Sequence, residues 1–99
     1  MPRSTAVVVT DAPARYAKQL LAHLGRKNTV EGLDGVPDGG RLVFAYGTGT
    51  VRPGDGTLVL DAAADDADGL ARVEDVLGRH LERFGARREL VVTWEPASG

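Results

Sequence analysis

Two segments of helical periodicity flank a long run in which apolar residues alternate one in two, and this order of periods constrains the fold more than any other feature of the chain. Ahead of the first helical segment, Ala6–Thr10 is β-branched and apolar on both faces, which predicts a buried strand. Asp11 and Pro13 then suit a helix start, because an aspartate side chain caps free N–H groups and proline fits the first turn. A helix over residues 12–26 gathers Pro13, Ala17, Leu20, Leu21 and Leu24 into one stripe and turns Arg15, Lys18, Ala22 and Arg26 outward.

After Asn28 come short β runs broken by Gly, Pro and Asp. A weak strand over Thr29–Leu33 is followed by a turn at Val36–Gly40, then a strand over Arg41–Tyr46 with Leu42, Phe44 and Tyr46 on one face. A hairpin turn at the GTGT run (Gly47–Thr50) leads to a short strand through Val51, a turn at Arg52–Gly56 and a strand over Thr57–Ala62. Asp65, Asp66 and Asp68 stand where carboxylates cap a second helix and favour its dipole. The buried stripe of that helix is Leu70, Val73, Leu77, Leu81 and Phe84, and Gly85 is expected as a left-handed stop. Gly69 and Gly78 each cost about 1 kcal/mol of helix propensity against alanine, and either suits close packing on the sheet. Arg88–Glu95 closes the series as a strand, with Leu90, Val92 and Trp94 on one side and Val91 and Thr93 on the other.

The order β-α-β-β-β-β-α-β predicts a two-layer α+β sandwich, a mainly antiparallel sheet with both helices on one face. A chain of 99 residues is expected to form a single domain, residues 1–99, with 96–99 as a loose tail. The opposite sheet face would then carry Val43, Ala45, Val59, Val91 and Thr93, which is apolar for a solvated surface. A homodimer through that face is one way of covering it.

Composition excludes several classes of function. There is no cysteine, so disulfides, thiolate metal sites and cysteine nucleophiles are ruled out. A net charge of -2 argues against a general nucleic-acid binder, which needs excess Lys and Arg to displace counterions. The apolar run Ala6–Val9 is too short for a signal-peptide core or a membrane span, so a cytoplasmic protein with no membrane partner is expected.

Few residues remain to carry chemistry. On the first helix His23 shares a flank with Tyr16 and Lys27, giving either a boundary row whose tips reach water or a row facing a ligand in a cleft between the helices. His80 on the second helix lies near its buried stripe with Arg83 on the same flank, and its plainest role is an imidazole bonded to a backbone or hydroxyl group. If the helices lie side by side, the two histidines could converge. No metal and no cofactor are expected, since neither histidine belongs to an HExxH or ExxH arrangement. Ser4 and Ser98 sit in no nucleophile-elbow pattern. The GxG within GTGT precedes a strand rather than the helix that a phosphate loop requires. Arg83, Arg87 and Arg88 surround the end of the second helix, where cations suit the dipole.

Taken together these positions resemble the bacterial domain-of-unknown-function family numbered 2218. The matching residues are Ser4, Ala6 and Thr10; Arg15, Tyr16, Gln19, Leu20, His23, Lys27 and Glu31; Phe44, Gly47, Leu58 and Leu60; and the C-terminal signature His80, Leu81, Arg83, Phe84, Arg88, Glu89, Leu90, Val92 and Trp94. Two departures are Ala86, where the pattern has a large aromatic, and the Gly- and Asp-rich VPDGG run. The resemblance implies a small α+β domain with no assigned activity. Through members that accompany siderophore-interacting flavin reductases, it also implies a link to iron uptake.

The reading these residues favour is a non-enzymatic ligand-binding or accessory domain whose cleft offers Tyr16, His23, Lys27, His80 and Arg83 to a small polar or anionic ligand. The alternatives are an enzyme using one histidine as general acid or base, and a structural module dimerising through its sheet face.

Overall fold

The computed structural model describes residues 2–85 and 90–96, the side chain of Pro37 aside. Its elements run β1 (Arg3–Val9), α1 (Pro13–Leu24), β2 (Thr29–Leu33), β3 (Val36–Phe44), β4 (Gly47–Pro53), β5 (Thr57–Ala63), α2 (Ala67–Phe84) and β6 (Glu95–Pro96). The six strands form one sheet in the order β2-β3-β4-β5-β1-β6, and every pairing is antiparallel. The fold is therefore the expected α+β architecture in the expected element order.

Alternation fixes which face is buried. Ala6 and Val8 of β1, Leu42 of β3, Val51 of β4 and Leu58, Leu60 and Ala62 of β5 all point to one side, where they meet the stripes of the two helices. Helix α1 packs over β3, β4 and β5, α2 packs over β4 and β5, and the helices touch each other. The side-chain oxygen of Asp66 accepts a hydrogen bond from Gly69 N at 2.7 Å and caps α2, as its place after β5 predicts. Asp66→Ala should cost about 0.5–2 kcal/mol in urea denaturation, with the helix otherwise retained. Ser4, buried on the core face of β1, donates its hydroxyl to Glu74 Oε2 at 2.5 Å and ties the sheet to α2.

Several boundaries differ from the sequence reading. The turn joining β2 and β3 is not VPDGG but Asp34-Gly35, where Gly35 takes φ +76° and spares the chain the clash a side chain would meet. VPDGG instead belongs to β3, beside a register shift between Gly32 and Leu33. GTGT is likewise strand, the first residues of β4, and the preceding turn is Ala45-Tyr46. Gly49 sits on the core face of β4, where an added Cβ would lie 2.7 Å from Leu77 Cδ1. The run is thus glycine-rich because α2 presses on it.

Helix α1 is shorter than residues 12–26. Its N-cap is Ala12, which has no side chain able to cap, while Thr10 Oγ1 accepts from Ala12 N at 3.2 Å. At the other end Asn28 Nδ2 donates to Leu24 O at 2.9 Å, satisfying an end carbonyl and stopping the helix there. Gly85 ends α2 at φ -97°, so the stop is not left-handed. Of the expected strand Arg88–Glu95, residues 90–94 have no ladder pairing, and among the described residues only Glu95, with Pro96 beyond it, pairs with β1. Leu90, Val92 and Trp94 still pack on the core, whereas Val91 faces solvent. Ala86, Arg87, Arg88, Glu89 and Ser98 lie outside the described residues.

The outer sheet face combines a polar row with exposed valines. Cross-strand register lines up Glu31, Arg41, Thr50, Asp61, Thr5 and Glu95 in a single polar row spanning all six strands. Asp61 anchors it, accepting from Thr5 Oγ1 at 2.8 Å and from Arg52 Nη2 at 2.5 Å. Strand β1 was expected to be buried on both faces, yet Val7 and Val9 on this side are 60% and 78% exposed. β-Branched residues favour a strand whichever way they point, so their type does not report burial.

Candidate functional site

The site is built where α1 and α2 run side by side. Helix periodicity puts His23 in the last turn of α1 and His80 near the end of α2, each next to its helix's buried stripe. Packing of the two stripes on one sheet brings the rings together, with centroids 5.0 Å apart and planes inclined at 45°. His23 also meets Phe84 edge to face at 5.7 Å, so the aromatic end of α2 holds its ring from a second side.

His80 is the more constrained of the pair. Its Nδ1 lies 2.7 Å from the carbonyl oxygen of Val76, one helical turn back. A carbonyl can only accept, so Nδ1 carries the hydrogen and Nε2 is the ring nitrogen left for another partner. His80 lines a surface depression of about 340 Å³ together with Arg79 and Arg83. Arg79 Nε contacts Asp75 Oδ1 at 3.1 Å, a helical i,i+4 pair on an exposed face. Arg83 has no ion pair among the described residues. Locally the seam thus carries excess positive charge in a chain whose net charge is -2.

The five residues singled out by sequence do not all meet. His23 and His80 are in contact, and Arg83 shares the depression with His80. Tyr16 is 7% exposed and belongs to the hydrophobic core. Lys27 lies in the turn beyond α1, so the helical spacing that relates it to His23 is broken at Leu24. The residue that sequence reasoning passed over is Arg79. Its only signals were its place beside His80 and its spacing from Asp75.

A larger depression of about 480 Å³ opens at the start of α2, lined by Asp65, Asp66, Asp68, Tyr46 and Arg72 among others. Its polar groups already have structural work. Asp66 caps the helix and Asp68 lies in its first turn, while the Arg72 guanidinium stands 4.5 Å over a Tyr46 ring stacked on Phe44. Among the described residues no group of three or more histidines and carboxylates is placed to hold a metal. No helix of the described residues is long and apolar enough to cross a membrane.

Fold and seam together define a small α+β sandwich domain in which two histidines meet between its helices. The chain belongs to the bacterial family described as "Uncharacterized protein conserved in bacteria (DUF2218)", which it matches over residues 5–95. It is similar to PA4090 from Pseudomonas aeruginosa, whose NMR structure aligns with a TM-score of 0.80 at 30% sequence identity and over 100% of both chains. No curated protein matches the chain.

Proposed function

We propose that this protein is a non-enzymatic binding or accessory domain that takes a small anionic ligand at the seam of α1 and α2. The observation that carries this reading is the convergence of His23 and His80 at 5.0 Å beside a depression lined by Arg79 and Arg83. Cationic and hydrogen-bond-donating side chains meet there, and Arg83 in particular offers a planar fork suited to a carboxylate or phosphate. Binding asks nothing further of the site.

The test is an NMR titration with inorganic phosphate, following the ring signals of the two histidines. The wild-type signals should move in a saturable way, and Arg83→Ala should lose about 1.5–3 kcal/mol of binding, the usual worth of a hydrogen bond to a charged group. His23→Ala should weaken binding as well, with backbone spectra showing the fold intact. Unchanged affinity in both variants would remove the site assignment.

The link to siderophores and iron uptake rests on the family resemblance alone, and the geometry of the seam adds nothing to it. Dimerisation through the sheet face would cover Val7, Val9 and Val43, which are exposed there. The row anchored on Asp61 would have to be dehydrated, and that costs free energy unless a partner replaces each hydrogen bond.

A further inference from the structure

Resting on the anion site just described, we infer that its ligand is a polyvalent oxyanion and that His80 takes up a proton as the ligand binds. The argument begins with the hydrogen bond from His80 Nδ1 to Val76 O at 2.7 Å. It fixes the tautomer, so in the neutral ring Nε2 presents a lone pair. A lone pair repels the oxygen of a fully deprotonated anion. The imidazolium instead presents an N–H and a positive charge, which makes it a charge-assisted donor.

The surroundings decide how much negative charge the ligand must bring. On α2 the charged neighbours lining the depression are Arg79 and Arg83. Of the nearby carboxylates on that helix, Asp75 is engaged by Arg79 and Glu82 accepts from Val92 N at 3.0 Å. From α1 the facing titratable group is His23, followed in the next turn by Arg26 and Lys27. The arginines beside the ring already carry positive charge, which a bound anion offsets. A singly charged anion is matched by Arg83 alone and leaves nothing to draw a proton onto His80. An anion of two or more charges satisfies Arg83 and still favours the imidazolium.

Sulfate is the appropriate probe, because it stays doubly charged throughout the range in which imidazole titrates, about pH 5 to 8. Nitrate serves as the singly charged control at matched ionic strength. Sulfate affinity should fall as pH rises through the range in which imidazole loses its proton, by up to about tenfold for each pH unit, the linkage expected when one proton accompanies one ligand. Calorimetry in two buffers of different ionisation enthalpy should show net proton uptake by the wild-type protein and none by His80→Gln. Nitrate should bind more weakly and without proton uptake.

Arg83-dependent sulfate binding that is independent of pH and takes up no proton would overturn this inference while leaving the anion site standing. The same holds if nitrate and sulfate bind equally. Absence of any binding by sulfate or phosphate, at any pH, would remove the anion site and this inference with it.

Discussion

Leu77→Ala is expected to lower the free energy of unfolding by about 2–5 kcal/mol, the range for truncating a fully buried leucine. Leu77 is completely buried at the centre of α2, and beneath it the sheet is hollowed by Gly49. An alanine at position 49 would place its Cβ 2.7 Å from Leu77 Cδ1 and 3.3 Å from Leu77 Cγ. Gly49→Ala alone should therefore cost about 1–3 kcal/mol by overpacking. In the double variant the new methyl enters space that the leucine has left, so the combined loss should fall short of the sum by about 0.5–3 kcal/mol. Urea denaturation of the four proteins measures the cycle. Strictly additive losses would mean that the two residues do not share a contact.

Two glycines of α2 should respond to the same substitution with opposite sign. Alanine gains up to about 1 kcal/mol of helix propensity over glycine at either place. At Gly69 the added Cβ would stand 2.5 Å from the backbone oxygen of Tyr46 and 3.1 Å from Ala64 Cβ. Backbone cannot swing aside as a side-chain tip can, so Gly69→Ala should be destabilising by about 1–3 kcal/mol despite its propensity. At Gly78 the nearest atoms are Trp94 Nε1 at 3.4 Å and Val92 Cγ1 at 3.6 Å, which is ordinary contact. Gly78→Ala should accordingly stabilise the protein by up to about 1 kcal/mol. Thermal melts of the two variants should move in opposite directions from the wild type. A rise in both would show that α2 does not seat on the β3–β4 turn as closely as described.

The architecture was largely legible because hydrophobic period is a local record of which face is buried. Leu58, Leu60 and Ala62 show it in a strand and Leu70, Val73, Leu77 and Leu81 in a helix, and their order alone implies the sandwich. Turn positions were less legible, since glycine marks three different needs here. Gly35 serves a positive φ, Gly49 makes room for a leucine above it, and Gly69 allows a helix to sit on a turn. Only the first of these is local, so only the first can be read without the tertiary fold. The same limit governs the site. That His23 and His80 each border a buried stripe follows from spacing, but their 5.0 Å separation depends on how two helices settle on one sheet. Lys27 was placed with His23 by extending the helix past Leu24, where Asn28 in fact satisfies the end carbonyl and ends it.

The place of β1 in the sheet has a consequence for how the chain reaches this structure. Val9 lies opposite Thr57 and Arg3 opposite Ala63, with α1 and three strands in between. Hairpins β2-β3, β3-β4 and β4-β5 can zip from their own turns, but β1 has no partner until β5 exists, and closing so long a loop must precede any reward from the contact. During synthesis its run of valines therefore waits exposed while the rest of the sheet is made. Docking of β1 is then the slow, entropy-limited step that seals the core, and the interval before it is when the chain is most open to aggregation.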